Sequence, residues 1–300
     1  MPELPDLTIY REQLEARIVG TRYRGVKIAH PFLLRSVDPS PEELVDSQVR
    51  AISLLGKRIV ISLESELYIV IHLMIAGRFK WMTEVGPVPK KRGLARFDFD
   101  SGSLLLTEAG TKRRASLSLV RGEASLSKID PGGINVLESN LASFSKILTL
   151  ENHTLKRTLT DPRLFSGIGN AYSDEILHRA KMSPFKQSKK CNDDEIEKLY
   201  NSCRSTLTEW IDLLRKQSGD AFPKKVTAFH PAMAVHGKYD HPCPECRTPA
   251  QRIQYAENEC NYCPSCQTEG RLLADRALSR LLKDDWPKSV EELEELRHPS

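Results

Sequence analysis

The chain has 300 residues, of which 40% are hydrophobic and 28% charged, and its formal net charge is only +4. This length exceeds what one small domain needs, so we expect two compact domains and a small appendage. No apolar run reaches transmembrane length, and the first residues lack the basic-then-apolar order of a signal peptide. These features argue against a membrane protein and predict a cytoplasmic one.

The chain opens with MPELPDLTIY, in which a proline directly follows the initial methionine. A small second residue permits removal of the methionine, and Pro2 would then carry a free secondary amine. Because α-amino groups titrate at roughly pH 7.7 to 8.0, such an amine could act as a nucleophile in the cell. The alternative is that Pro2 is an ordinary residue in front of a helix.

Residues 1 to about 140 are predicted to form a helix followed by a β-sandwich or barrel. The helix is expected to start behind Asp6 as its N-cap, because apolar side chains then recur at steps of three and four: Leu7, Tyr10, Leu14 and Ile18. After Gly20 the pattern changes to short β-like runs with turn signals such as SGS, from TRYRGVKIA to ASLSLV. Several strands at short spacing indicate an all-β layer structure.

The chain behind DPGG is predicted to be helical as far as about Gln217, through LASFSKILTL, HTLKRTLTD, NAYSDEILHRAKM and a long final helix. The turn SGIGN precedes the third of these segments. Gly167 and Gly169 allow a tight turn, Asn170 lies at its edge, and the start of a helix exposes amide groups that attract anions. Alone, such a turn could equally be a packing feature between two helices.

Cationic residues are concentrated in three places rather than spread evenly, namely PKKRG, TKRRA and KQSKK, whereas the final VEELEELRHPS is acidic. Clusters of this kind on a nearly balanced chain indicate a surface that follows phosphates. Each cluster alone could be a solvated loop. The polar stretch SGDAFPKKVTAFHPA, which has no periodicity, is interpreted as a mobile loop.

Five of the seven cysteines lie between residues 243 and 266, and the odd total argues against a disulfide framework in a reducing compartment. Cys243 and Cys246 form one CxxC pair. Cys263 and Cys266 form a second, at a separation typical of a four-thiolate zinc site on a β-hairpin. Cys260 with Cys263 is also a CxxC pair, but Pro264 matches Pro244 of the first pair and favours Cys263 with Cys266. Four thiolates leave no open coordination position, so the zinc is expected to be structural.

Four motifs in one order give the chain a family resemblance: MPELP, then GKRIVI with IHLMIAG, then GIGNAYSDEIL, then the four-cysteine finger. The combination resembles the formamidopyrimidine-DNA glycosylase and endonuclease VIII family of base-excision repair enzymes, and covers roughly residues 1 to 270. The resemblance implies an α+β fold of several domains. These are a catalytic β-sandwich domain over 1–140, a helix-two-turn-helix DNA-binding domain over 141–235 and a zinc finger over 236–270. Outside the resemblance, a helical extension is predicted over 271–300.

The resemblance also implies roles for single residues. Pro2 would attack the sugar of a damaged nucleotide and form a Schiff base, with Glu3 as acid and base and Lys57 on a phosphate near the lesion. Glycosylase and AP lyase activity on oxidised or ring-opened bases would follow, with Zn²⁺ and damaged DNA as cofactor and partner. DNA contacts are expected from Gly169, Asn170, Arg114, Ile75 and Asn258. Lys57 could otherwise be an ordinary strand lysine.

The chain departs from the family pattern at the residues that fill the hole left by an everted base. Ile75 occupies the methionine position of that pattern and Ala115 the phenylalanine position, which leaves Arg114 without an aromatic wedge. Asn258 stands where a zinc-finger arginine binds phosphate, and Arg252 is a candidate to replace it. A weaker plug leads us to expect activity on single-stranded, unpaired or crosslinked sites as well.

The segment behind the last cysteine is predicted to form a helix with an apolar face, at Leu272, Leu273, Ala277, Leu278, Leu281 and Leu282. Packing on the protein's own body is the default expectation, and docking of a protein partner is the alternative. We expect a monomeric enzyme of bacterial type that acts on the nucleoid. The competing hypotheses are a non-catalytic binder of damaged DNA, which would need neither Pro2 nor Glu3, and a zinc-dependent transcription or RNA-binding factor.

Overall fold

A computed structural model describes residues 1–110, 112–224, 226–255, 258–274 and 287–297, with the side chains of 255, 258, 294, 296 and 297 outside that description. The chain divides into two compact units. The first comprises Met1–Gly132 and Glu209–Thr227, and the second Gly133–Thr208 and Ala228–Ser300. None of the helices in the described part has the length and apolar character that crossing a bilayer requires.

The first unit begins with helix α1, Leu4–Ile18, which starts earlier than the sequence predicts. Glu3, not Asp6, is the N-cap. The expected position was wrong because Pro5 fits the first turn of a helix, where its missing N–H is not needed. Asp6 therefore lies inside that first turn, and its carboxylate accepts a hydrogen bond from the Glu3 N–H.

Eight antiparallel strands build the sandwich of the first unit. They are β1 Tyr23–Ile28, β2 Val49–Leu55, β3 Arg58–Leu63, β4 Leu67–His72, β5 Gly77–Met82, β6 Gly93–Phe99, β7 Gly102–Glu108 and β8 Ser116–Arg121. One sheet has the order β1-β6-β7-β5 and the other β2-β3-β4-β8. Because the strands form two separate sheets, the first unit is a β-sandwich and not a barrel.

One hydrophobic core joins the two sheets and α1. Leu7, Leu14 and Ile18 from the helix pack with side chains such as Ile59 and Phe97 from the strands, all of them fully buried. The apolar positions predicted from helical spacing are thus the buried ones, and burial of this apolar face is what holds α1 on the sandwich. A short helix α2, Glu123–Ser127, follows β8.

The second unit contains the helices predicted behind DPGG. They are α3 Leu141–Leu148, α4 Leu155–Thr160, α5 Asn170–Arg179 and the long α6 Asp193–Ser218, whose last residues belong to the first unit. Asn140 and Thr154 cap α3 and α4 with side-chain oxygens. Ile176, Leu177 and Ala180 are fully buried, as their spacing predicts.

A small hairpin follows in the same unit, with β9 Gln251–Tyr255 antiparallel to β10 Asn258–Tyr262, and then α7 Pro264–Thr268. The α+β fold class with a helix, a β-sandwich, a helical part and a C-terminal cysteine hairpin is confirmed. In the tail, Leu272 is buried and a helix α8 spans Val290–Arg297. The apolar face predicted through Ala277, Leu278, Leu281 and Leu282 lies outside the described residues.

Candidate functional site

The start of α1 buries a polar amino terminus in the first unit. Pro2 and Glu3 are both buried, with Glu3 only 3% exposed. The Glu3 N–H donates to Asp6 Oδ2 at 3.0 Å. Burial raises the pKa of Asp6 to about 7, against the opposing effect of that hydrogen bond. Two carboxyl groups, one of which can hold a proton near neutral pH, therefore stand beside the terminus.

Cationic residues of the β2–β3 turn and of strand β5 act on the same place. The pKa of the Met1 α-amino group is lowered chiefly by burial and further by Arg78 and Lys57, whereas Glu3 and Asp6 raise it. Lys57 is the second residue of the tight β2–β3 turn, in which Gly56 has the positive φ of 60° that a Gly-X hairpin turn requires. His72 on β4 stays neutral, because burial lowers its pKa to about 4.

The two predicted DNA-filling residues protrude from adjacent loops of the first unit. Ile75 is 54% exposed in the turn between β4 and β5, and Arg114 is exposed behind β7. A Cβ built on Gly110 would lie 3.7 Å from the Cβ of Ala76, which shows that the two loops are neighbours. Ala115, at the expected wedge position, is buried in the core, so no side chain is offered there.

A buried glutamate fixes the second of these loops. Glu108, 2% exposed, accepts hydrogen bonds from the backbone N–H groups of Arg114 and Ala115 at 3.0 to 3.1 Å. A charged acceptor for two amides holds the chain behind Arg114 in one conformation. No local pattern indicates this contact, because Glu108 looks like an ordinary polar residue at the end of a strand.

In the second unit, the predicted SGIGN turn leads into α5 with Gly169 as its N-cap and Asn170 as its first residue. Gly167 has φ +79°, a conformation that glycine supplies without strain. Lys156 of α4 donates to the Asn170 carbonyl at 2.7 Å and to Asp174 Oδ1 at 2.5 Å. Asp174 is fully buried, and its Oδ2 lies 2.7 Å from His236 Nδ1. Lys156, Asp174 and His236 thus form a polar network that is bonded to the start of α5.

Glu175, the next residue of α5, holds a segment of chain in front of the hairpin. Its carboxylate accepts hydrogen bonds from the N–H groups of Ala234, Val235 and His236 at 2.7, 3.0 and 2.9 Å. Burial raises the pKa of Glu175, and the three donors oppose that effect. Three consecutive backbone N–H groups thus bind a carboxylate, as they would bind an anion, and here the anion is the Glu175 side chain.

Cys243, Cys246, Cys263 and Cys266 bring their four sulfur atoms within 4.8 Å of one another, and they are the one such group found among the described residues. Cys243 Sγ lies 3.9 Å from Cys266 Sγ, and Cys246 Sγ lies 3.3 Å from Cys263 Sγ. A tetrahedral zinc with Zn–S bonds of about 2.3 Å separates its sulfur atoms by about 3.8 Å, so the set fits that ion.

Two side chains outside the cluster complete its surroundings. His178 of α5 places Nε2 3.2 Å from Cys243 Sγ, a contact suited to supporting a metal-bound thiolate. Cys260 is not part of this group: it is buried near Asp174, and burial raises the pKa of its thiol. The alternation of side chains along β10 thus separates Cys260 from Cys263.

The hairpin carries one exposed arginine in a defined position. Arg252 on β9 lies with its guanidinium 4.4 Å from the centre of the Tyr239 ring. Asn258, the other candidate for DNA contact, pairs through its backbone with Tyr255, and its side chain lies outside the described residues. The roles of Pro2, Glu3, Lys57, Gly169, Asn170, Arg114, Ile75 and Asn258 stay predictions.

Comparison with known proteins adds two family models. The model described as "Formamidopyrimidine-DNA glycosylase N-terminal domain" matches residues 1–115, and the one described as "Formamidopyrimidine-DNA glycosylase H2TH domain" matches residues 135–220. Formamidopyrimidine-DNA glycosylase of Thermus thermophilus is 30% identical over 288 residues, covering 90% of this chain and 100% of that protein. An uncharacterised formamidopyrimidine-DNA glycosylase-like protein of Mycobacterium tuberculosis is 36% identical over 155 residues, covering 52% and 94%.

Solved structures share the fold. Lactococcus lactis Fpg in complex with DNA containing an abasic site aligns with a TM-score of 0.77 and 23% identity, over 89% of this chain and 99% of that one. MutM in complex with DNA containing carbocyclic 8-oxo-G aligns with a TM-score of 0.78 and 24% identity, over 89% and 100%. At this level of identity the alignments establish a common fold.

Proposed function

This chain belongs to the formamidopyrimidine-DNA glycosylase family, and from that premise we propose that it is a DNA glycosylase for damaged bases that works through an imine on Pro2. The observation that carries the proposal is the buried amino terminus, where an amine, Glu3 and Asp6 lie together beside cationic Lys57 and Arg78. A protein that only binds DNA needs no buried acid pair next to an amine.

The reaction requires that Met1 be removed, so that Pro2 presents a secondary amine. Its nitrogen lone pair forms a bond to C1′ of the damaged nucleotide, and the glycosidic bond breaks with its electron pair on the departing base, which takes up a proton. The bonded nitrogen then loses its proton, and its lone pair forms an iminium at C1′ as the C1′–O4′ bond breaks with its electron pair on O4′, which takes up a proton. This electron sink acidifies C2′, and loss of a C2′ proton expels the 3′-phosphate by β-elimination, which is the AP lyase step.

Glu3 is proposed to move the protons of this sequence, because it is the buried carboxylate next to the nucleophile. Asp6 can supply a proton near neutral pH, since burial raises its pKa to about 7. Lys57, at the tip of its tight turn, is proposed to hold a phosphate near the lesion. A low amine pKa favours the unprotonated nucleophile, and the burial that lowers the pKa of the Met1 amine would act in the same direction on the amine of Pro2.

DNA contacts are proposed for residues of both units. The start of α5, with Gly169 and Asn170, offers amide groups to a backbone phosphate. Arg114 and Ile75, which protrude from neighbouring loops, would occupy the space left by an everted base. On the hairpin, the guanidinium of Arg252 stacks on the Tyr239 ring and would make a charged contact with a DNA phosphate, which the amide of Asn258 cannot make.

Zn²⁺ is proposed as the structural ion of the four-cysteine cluster. The ion would tie the chain around Cys243 to the end of β10, and a site of four thiolates takes no part in the reaction. His178 would orient Cys243 in that site. We propose a monomer that acts on oxidised or ring-opened bases, together with single-stranded, unpaired or crosslinked sites, because Ala115 contributes no wedge.

Borohydride trapping tests the proposal. Zinc-loaded protein without Met1 is incubated with an oligonucleotide carrying an abasic site, beside Pro2→Gly and Glu3→Gln, and the iminium is reduced to a stable amine. We expect an adduct with the wild type that peptide mass spectrometry maps to Pro2, and none with Pro2→Gly. A wild type that binds the oligonucleotide and gives no adduct would support the non-catalytic binder instead.

A further inference from the structure

Arg78, the second residue of β5, binds three backbone carbonyls at once. Its Nε donates to the Val226 carbonyl at 2.7 Å, and its Nη1 donates to the carbonyls of Gly77 at 2.7 Å and Ile75 at 3.1 Å. One planar guanidinium therefore bridges the Leu73–Gly77 turn, which carries Ile75, and a segment almost 150 residues further along the chain. Nothing in the sequence marks Arg78 for this task.

The distant segment, of which residues 219–224 and 226–227 are described, lies in the first unit and is bound along α1. Gln13 donates to the Gly219 carbonyl at 3.0 Å, and Arg17 donates to the Asp220 carbonyl at 2.6 Å. Phe222 packs its ring against Tyr10 at 5.5 Å and against Trp81 at 6.4 Å between ring centres. The path of this segment thus runs along the helix that bears the amino terminus and ends on Arg78.

Arg78 also faces the amino terminus itself. The charged or titratable groups around the Met1 amine are Glu3, Asp6, Lys57 and Arg78, and Tyr10 lies near Asp6 and Arg78. Arg78 lowers the pKa of the amine and of the Asp6 carboxyl, as a nearby cation must. The Arg78 side chain thus combines several diverging hydrogen-bond donors with a positive charge that acts on the amino terminus.

We propose that Arg78 is a positioning residue that fastens the Leu73–Gly77 turn and the 219–227 segment together beside the amino terminus, so that the nucleophile and Ile75 are presented in one fixed arrangement. The inference rests on the proposed function for its catalytic consequence, while the fastening itself is a structural claim. Arginine suits the role because its donors diverge in a rigid plane, whereas a lysine ammonium cannot span the same acceptors from one atom.

Two variants separate the fork from the charge. Arg78→Lys keeps the charge and loses the fork, and Arg78→Gln loses both. The matched control is Arg50→Gln, which removes an exposed arginine of the same sandwich that pairs with Glu64. The readouts are hydrogen exchange in a peptide covering 219–227, the single-turnover rate of imine trapping, and its pH profile.

We expect faster exchange in that peptide for both Arg78 variants and no change for the control. Trapping should slow about tenfold in Arg78→Lys with DNA affinity nearly unchanged, as misplaced reacting groups cause. In Arg78→Gln the acid limb of the pH profile should move to higher pH, because loss of a cation raises the pKa of the amine. In Arg78→Lys the limb should stay in place.

Wild-type exchange and trapping in Arg78→Lys would overturn the inference, and that variant also decides the matter if Arg78→Gln does not fold. A wild type that forms no adduct would overturn the proposed function alone, because the exchange experiment does not depend on catalysis. Slower trapping in Arg78→Gln alone, without faster exchange in either variant, would contradict the fastening and leave only a charge effect. The two claims therefore fail separately.

Discussion

The carboxylate of Asp6 accepts a hydrogen bond of 3.0 Å from the backbone N–H of Glu3, across the first turn of α1. A capping interaction of this kind normally favours the charged form, yet burial dominates and raises the pKa of Asp6 to about 7 from 3.8. The folded protein therefore holds a proton on Asp6 that the unfolded chain has already lost above pH 4. Ionisation of the Asp6 carboxyl in the folded protein lowers the free energy of unfolding.

Asp6→Asn should remove a pH dependence of stability. Between about pH 4 and 7 the folded state binds more protons than the unfolded state. The contribution of protonated Asp6 to the free energy of unfolding is therefore fully present below about pH 4 and is lost as the pH rises to about 7. Relative to the wild type, Asp6→Asn should gain stability across the window, by up to about 4 kcal/mol. Denaturant unfolding at several pH values measures the difference, with exposed Asp38→Asn as control. A difference that does not change with pH would contradict the expectation.

Gly77→Ala should disrupt the turn that presents Ile75. A Cβ at Gly77 would lie 2.1 Å from the Leu73 carbonyl oxygen, which already accepts the Gly77 N–H at 2.9 Å. Because backbone must move to relieve this clash, we expect a loss of about 3 kcal/mol or more in the free energy of unfolding. Gly86→Ala, whose Cβ would meet only Met82 Cε at 3.5 Å, is the control and should stay near the wild type. Equal stability of both variants would show that the turn tolerates a side chain.

Local pattern predicted much of this structure, and contacts between distant residues account for what it missed. Period and turn signals located α1, the strands and α5, and the apolar positions Leu7 and Ile176 are buried as expected. The bonds of Arg78 and Glu175 join residues 148 and about 60 positions apart, which no local pattern encodes. The N-cap was misassigned because Asp6 has the right chemistry for a cap, whereas Pro5 admits an earlier start.

Glu175→Gln should loosen the segment in front of the hairpin. The carboxylate serves three N–H donors with two oxygens, and a glutamine amide would turn an NH₂ group toward one of them. Leaving a buried donor unsatisfied costs about 1–3 kcal/mol, so we expect destabilisation of that size in denaturant unfolding. Exposed Glu197→Gln on α6 is the matched control. Hydrogen exchange should rise at residues 234–236, and unchanged exchange there would show that these bonds do not order the segment.

Cys263→Ser should abolish binding of one zinc ion per chain, whereas Cys260→Ser should retain it. The structure brings Cys263 into the group of four sulfurs and turns Cys260 toward Asp174. The zinc content of the purified proteins is measured by elemental mass spectrometry. Cys191→Ser, which changes a half-buried cysteine outside the cluster, is a further control. Because the metal stabilises a hairpin too small to fold alone, DNA affinity should fall with metal content. Loss of zinc in Cys260→Ser would mean that the second ligand pair is Cys260 and Cys263.

Ile75→Ala should reduce cleavage of duplex DNA more than cleavage of single strands. Ile75 protrudes with 54% of its surface exposed, and Ala115 is buried in the core, so under the proposed function Ile75 and Arg114 alone would fill the space left by an everted base. Eversion from a duplex costs a few kcal/mol that the plug must offset, whereas an unpaired base requires little compensation. We expect about a tenfold loss on a lesion in duplex DNA, equivalent to about 1.4 kcal/mol, and a much smaller one on the same lesion in a single strand. Val85→Ala, which shortens another exposed aliphatic side chain of this unit, should change neither rate. An equal loss on both substrates would place Ile75 in general binding and remove the basis for expecting relaxed strand dependence.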